Sequence, residues 1–214
     1  MIRYSIVIAV FLLVSCGKDK EILLPKSNKT IVKDVADISP IYFLFQEKDK
    51  DTLVEVDKQT IISTTNWIFN IDKRFPMRKI VPEIIRLQNR KGSHKGEAQV
   101  ENYYSYADSI GKNMAFVPFT NVVYTLGKQK DFADQGKVSL VLKLDKHNKV
   151  TANGVPMTLA QFPEAVTNLY PDQPVVVFLH FDQNLLYQDY VAAKIVISGW
   201  KLKNVEFSNK EYTY

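Results

Sequence analysis

Few residues in this 214-residue chain have types and spacings that could do chemistry. One cysteine, Cys16, and three histidines, His94, His147 and His180, are its soft and imidazole ligands. Zinc sites draw ligands from closely spaced pairs, and no HExxH or CxxC pair occurs, so no metal is expected. There is no GxSxG elbow, no GxGxxG turn and no Walker loop. A glycosidase needs two convergent carboxylates, and nothing in the spacing singles out two. His180 sits between Leu179 and Phe181 in an apolar run, facing opposite to both, and reads as a hydrogen-bonded structural histidine. The expectation is a protein without catalysis, metal or cofactor.

Other residues suggest binding. Tyr103, Tyr104 and Tyr106 cluster beside a polar loop, Lys91–Asn102, and Trp67 and Trp200 offer faces on which sugars stack. Tyrosine is enriched at binding surfaces because it offers area with a polar tip. Strand alternation would equally bury these rings. Asp182 closes an apolar strand, where an aspartate commonly caps the next turn. Lys+Arg 28 against Asp+Glu 23 leaves +5, with lysines scattered among acids, so no basic stripe for nucleic acid is present.

The N-terminus reads as an address. Met1-Ile2-Arg3 is a short positive region, and IVIAVFLLV is an apolar run too short to span a membrane. Leu13-Val14-Ser15-Cys16 resembles a bacterial lipobox, making residues 1–15 a lipoprotein signal peptide and Cys16 the lipid attachment site. Two acyl chains make such an anchor stable. Cys-x-Lys-Asp-x-Glu also resembles the surface-export signals of some Bacteroidetes lipoproteins. The expected location is the cell envelope, facing either the periplasm or the cell surface, with residues 16–36 as a tether.

Two small α+β domains with mixed sheets and helices on one face are expected to follow, at 37–128 and 137–214, divided near GKQKDFADQG. In the first, Ile41–Phe45, Thr52–Val56 and Trp67–Ile71 read as strands and Met77–Arg90 as a helix, with one or two strands in Met114–Leu126. In the second, Val138–Asp145 and Lys149–Asn153 form a hairpin. Thr158–Gln161 opens a helix with an awkward Pro163, Pro174–Asp182 is a strand buried on both faces, Leu186–Ser198 is a helix, and Asn204–Ser208 is the last strand. Phe75-Pro76-Met77 echoes Val155-Pro156-Met157, which makes the N-terminal half a candidate divergent repeat.

The C-terminal segments KLDKHNKVTANGVPMTL, VVVFLHFDQNLLYQDYV and NVEFSNKEYTY resemble the periplasmic domain of the ExbD/TolR family. That resemblance implies a β-β-α-β-α-β order, with Asp182 and Tyr187 at the family's strand-end Asp and following aromatic. It also implies a domain that dimerises and binds a TonB-like or stator protein, an outer-membrane receptor or peptidoglycan. The membrane-embedded Asp of stator members has no counterpart in Tyr4–Cys16, so proton coupling is not implied. The expected function is a non-catalytic, lipid-anchored interaction protein in which an exposed sheet edge or helix face meets the partner. The alternative is a surface glycan- or solute-binding lipoprotein using Tyr103, Tyr104 and Tyr106.

Overall fold

A computed structural model of the chain describes residues 21–48, 51–58, 61–92, 100–127 and 136–214. Cys16, the expected signal peptide and the start of the expected 16–36 tether, with most of the Lys91–Asn102 loop, lie outside the described residues. The described part of that stretch is no free tether, since Lys26–Ser27 pairs with Ala107–Asp108 and Val32 bridges Phe116. The fold is α+β, with two mixed six-stranded sheets and, among the described residues, three helices.

The first sheet is built from β1 (Lys26–Ser27), β2 (Ile38–Lys48), β3 (Asp51–Asp57), β4 (Asn66–Ile71), β5 (Asn102–Asp108) and β6 (Asn113–Pro118). Helix α1 (Met77–Gly92) joins β4 to β5. The second holds β7 (Val123–Leu126), β8 (Val138–Leu144), β9 (Val150–Ala152), β10 (Val155–Met157), β11 (Val175–Phe181) and β12 (Val205–Thr213), with α2 (Phe162–Leu169) before β11 and α3 (Tyr187–Ser198) after it. The expected stretch 37–128 includes β7, which pairs with β12 in the second sheet.

Each half has the same frame. A hairpin, β2–β3 or β8–β9, is followed by a strand parallel to its first member, a helix, and a further parallel strand. The resulting orders are β3-β2-β4-β5 and β9-β8-β11-β12. The parallel pairs need crossovers, which α1 and α3 provide between β4 and β5 and between β11 and β12. Where β4 and β11 end, both chains turn on an aspartate. Asp72 Oδ1 accepts from Arg74 N (3.0 Å), and Asp182 Oδ1 accepts from Asn184 N (2.7 Å).

These two turns meet. Pro76 bridges Leu186; Met77 N donates to Leu185 O (2.9 Å) and Tyr187 N to Phe75 O (2.8 Å). Arg78 N donates to Gln183 O (2.7 Å) and Gln188 N to Lys73 O (3.3 Å). The bonds come in reciprocal pairs with one constant spacing along the chain, as a two-fold arrangement of the halves requires. The counterpart of Phe75-Pro76-Met77 is therefore Leu185-Leu186-Tyr187. Val155-Pro156-Met157, its echo in sequence, is the edge strand β10.

One cluster of buried side chains runs through both halves, from Ile41, Phe69 and Tyr104 to Leu142, Leu179 and Phe181. Helix α1 is amphipathic, burying Met77, Ile80, Val81, Ile84 and Leu87 and exposing Arg78, Arg86 and Arg90. Helix α3 is not. No residue from Tyr187 to Ile197 is exposed, because its apolar and aromatic residues go all the way round and it packs as the central helix. The Thr158–Gln161 pairing forms, with Thr158 N donating to Gln161 Oε1 (2.9 Å). The helix itself starts at Phe162, so Pro163 falls in its first turn, where its missing N–H costs nothing.

Candidate functional site

The structure separates the residues marked out in the sequence. Tyr104 and Tyr106 are fully buried. Tyr106 Oη donates to Lys29 O (2.8 Å) and accepts from Ile31 N (2.9 Å), fastening the N-terminal strap to β5. Tyr104 stacks flat on Phe119 with ring centroids 3.7 Å apart. Tyr103, on the other face of β5, is half-buried against Phe116, and its hydroxyl is pushed up to about 12 by burial and by Glu101. The expected tyrosine binding cluster is thus corrected: alternation along β5 sends two of the three rings into the core. Trp67 is buried too, donating Nε1–H to Ile62 O (2.8 Å) under the Lys91 ammonium, and Trp200 stacks on Phe162. Tyr187, like Tyr104, has no exposed surface, so neither ring meets a partner directly; the two lie edge to face at 5.7 Å. Asp182 is half-buried at its turn.

Sequence reasoning missed a buried polar chain at the joint between the sheets. Tyr190 Oη of α3 donates to Glu211 Oε2 of β12 (2.8 Å). That fixes the remaining directions, since each hydroxyl has one proton. Tyr124 of β7 donates to Tyr190 (2.8 Å), and Tyr104 of β5 donates to Tyr124. Lys194 Nζ closes the chain on Glu211 Oε1, with side chains 14% and 2% exposed. Burial drives the three hydroxyls well above the usual tyrosine range, so they serve as neutral donors at physiological pH. Lys194 and Tyr190 both face the buried Glu211 carboxyl and supply its hydrogen bonds. Four elements from both sheets meet there, which makes it a fastening point. Glu211 lies beyond Asn204–Ser208, the stretch that reads as the last strand, so no local pattern marked it.

The cavity with binding character lies elsewhere, between the β8–β9–β10 hairpin and α3. It is a groove of about 660 Å³ floored by Leu144, Val150, Ala192, Ala193 and Val196, with Lys149 and Asp189 at its rim. The correspondence between the turns, carried along the helices, sets Asp189, Ala192, Ala193 and Val196 against Lys79, Pro82, Glu83 and Arg86 of α1. On α1 this face is solvated and carries the Arg86–Glu83 ion pair. On α3 this face has one charge, Asp189, and is otherwise the small apolar Ala192, Ala193 and Val196. The same frame is finished for water in one half and left apolar in the other.

Strand β10 flanks the groove but its edge is guarded. Asn153 (φ 46°) and Gly154 (φ 85°) form a two-residue hairpin turn of the kind that needs positive φ at both positions. Ala152–Val155 and Val150–Met157 are then the hydrogen-bonded pairs, so the outward backbone belongs to Pro156, which has no N–H. A strand added at this edge would find no donor, so the expected edge pairing does not suit β10. The helix-lined groove remains.

Comparison with protein-family models, with curated proteins and with solved structures found no match. No helix among the described residues is long and apolar enough to cross a membrane, and no group of three or more His, Cys, Asp and Glu among them could hold a metal ion.

Proposed function

We propose that the chain is a lipid-anchored, non-catalytic envelope protein whose residues 137–214 form an ExbD/TolR-like unit that binds a partner protein through the groove between the β8–β9–β10 hairpin and α3. One observation carries this reading: of two corresponding helix faces, α1 carries the charged Lys79, Glu83 and Arg86, with Arg86 exposed and the other two half-buried, while α3 carries Ala192, Ala193 and Val196, which line a groove. Groove-lining apolar area beside one basic and one acidic rim residue suits an amphipathic segment laid in lengthwise. The order of elements over 138–213 is three antiparallel-paired strands, helix, strand, helix, strand, which has one strand, β10, more than the resemblance implies. The two halves, fused and paired through Pro76 and Leu186, are a duplicated unit in this reading. The chain then carries its own dimer and works as a monomer, with a TonB-like or stator protein, or an outer-membrane receptor, as partner. Acyl chains on Cys16 hold it at the membrane.

Two variants test this. Cys16→Ala is expected to release a folded protein from membranes; retention after a high-salt wash refutes the anchor. Ala192→Arg, at a half-buried position, fills the groove. With a photo-crosslinker at Met157 in cells, wild type is expected to link to one apolar segment of one envelope protein, and Ala192→Arg to abolish the link while melting within a few degrees of wild type. Linkage unchanged in Ala192→Arg, or linkage to lipid alone, refutes the groove.

A further inference from the structure

On the opposite face of the second sheet, the carboxyl ends of three adjacent parallel strands bring six side chains together. Register places Lys143, His180 and Tyr212 in one row across β8, β11 and β12. The ladder continues past the strand ends, with Asp182 N on Leu144 O (2.9 Å), Tyr214 N on Phe181 O (3.1 Å) and Gln183 N on Tyr214 O (2.8 Å). The next row on that face is therefore Asp145, Asp182 and Tyr214. The contacts agree: His180 stacks on Tyr212 with centroids 4.7 Å apart, and Tyr214 lies 6.3 Å from His180. Lys143 Nζ stands 5.5 Å from the Tyr214 ring centre. Both Asp182 and Asp145 act on the Tyr214 hydroxyl, adding to burial in raising its pKa. The carboxyl ends of parallel strands are where open sheets hold their ligands.

We propose that this strand-end cluster binds a neutral saccharide, with Tyr214 as the stacking face and Asp145, Asp182 and Lys143 as the groups that hydrogen-bond its hydroxyls. Three observations support the assignment. First, the other half of the chain lacks the cluster: its corresponding rows are Tyr42, Asn70, Ser105 and Leu44, Asp72, Ala107. There Asp72 is closed off by the Arg74 guanidinium (Nε 2.8 Å, Nη2 2.8 Å) and by Leu23 N (3.0 Å). At Asp182 the position of Arg74 is held by uncharged Asn184, which turns its Oδ1 to Arg78 Nε (3.0 Å). Second, the cluster is reachable. Lys143 is exposed, while Asp145, Asp182 and Tyr214 are half-buried. Third, the mixture of charges chooses the ligand. A cation at the Tyr214 face meets Lys143, and an anion meets Asp145 and Asp182. A neutral polyol meets neither penalty and offers donors to the carboxylates, acceptors to the ammonium and an apolar ring face to the tyrosine. His180, held down to about 4 by burial and by Lys143, adds no charge at physiological pH.

The site lies on the opposite face of the sheet from the groove, joined to it only where Asp145 Oδ1 accepts from His147 N (2.8 Å) and Lys149 N (2.9 Å), and it does not rest on the partner-binding reading. The test is a glycan array probed with the full chain purified in detergent, carrying neutral hexose oligomers, N-acetylglucosamine oligomers of the cell-wall type, acidic glycans and aminated glycans. Binding to a neutral class is expected, and which neutral class binds separates a cell-wall source from another glycan. Calorimetry with the bound oligomer then reads Tyr214→Ala, expected to weaken binding roughly tenfold, and Lys143→Glu, an exposed change that leaves the core intact, expected to abolish it. No neutral glycan bound, a preference for acidic or aminated glycans, or affinity unchanged in both variants overturns the proposal.

Discussion

Lys194→Met isolates the electrostatic design of the joint between the two sheets. The substitution keeps the stem of the side chain and removes the ammonium facing Glu211, which is 2% exposed. Breaking a buried pair by removing one partner leaves an uncompensated charge and costs about 3–5 kcal/mol. At about 2–4 °C per kcal/mol for a chain of this size, melting should fall by about 10 °C. Glu211→Gln is the gentler half of the cycle. It keeps an oxygen to accept from Tyr190 Oη, and the freed ammonium of Lys194, 14% exposed, extends to water, so the cost is about 1–2 kcal/mol. In the double variant no charge is stranded, and it should be more stable than Lys194→Met alone by at least about 1 kcal/mol. Urea denaturation followed by circular dichroism, with equal m-values across the four proteins, measures the cycle. The reasoning fails if Lys194→Met costs less than about 1 kcal/mol, or if adding Glu211→Gln makes it worse.

Three further outcomes are expected. The Tyr187 hydroxyl is buried with no hydrogen-bond partner among the described residues, whereas Tyr190 Oη has Tyr124 and Glu211. Tyr187→Phe should leave stability unchanged or raise it by about 1 kcal/mol, and Tyr190→Phe should lower it by about 1–2 kcal/mol, both read by urea denaturation. Because His180 is held down to about 4, the unfolded chain binds the extra proton first, and stability should fall as pH drops from about 6.5 towards 4. His180→Gln should flatten that limb, and an unchanged slope over the same window counts against the assignment. Finally, residues 136–214 expressed alone lose β7, the contacts of Tyr104 with Tyr187 and Tyr190, and the Phe75 and Lys73 carbonyls. Amide resonances of that fragment should be poorly dispersed; a well-dispersed spectrum would show that the shared core is dispensable.

Much of the frame was legible in the sequence because period-2 and period-3.6 patterns depend on neighbours along the chain. Val138–Leu144, Val175–Phe181 and Met77–Gly92 bury the faces that their spacing marks. Strand β5 was harder, because Asn102, Ser105 and Asp108 are buried polar residues whose partners, Thr120, Asn70 and Thr30, come from distant segments. The same long-range dependence hid the function-bearing contrasts. Nothing local distinguishes Tyr104, a core ring on Phe119, from Tyr214, a half-buried ring at a strand end. The letters that echo between the halves are not the ones that correspond in space. Phe75-Pro76-Met77 and Val155-Pro156-Met157 share letters, whereas Leu185-Leu186-Tyr187 shares position, and hydrogen bonds through backbone atoms preserve position without preserving letters.

The reciprocal bonds at Pro76 and Leu186 use N–H and C=O groups, apart from the missing N–H of Pro76, so the two-fold pairing does not depend on which side chains surround it. In the first half Arg74 and Leu23 seal Asp72, and Lys79, Glu83 and Arg86 charge the helix face. In the second half both corresponding places differ. Asn184 in place of Arg74 leaves Asp182 beside Asp145 and Tyr214, and Ala192, Ala193 and Val196 leave a groove. Restoring closure should therefore act locally. Asn184→Arg places a guanidinium where Arg74 stands against Asp72, and should silence saccharide binding at the strand ends while leaving Met157 crosslinking intact. Loss of both together would mean that the two faces of the second sheet are one site.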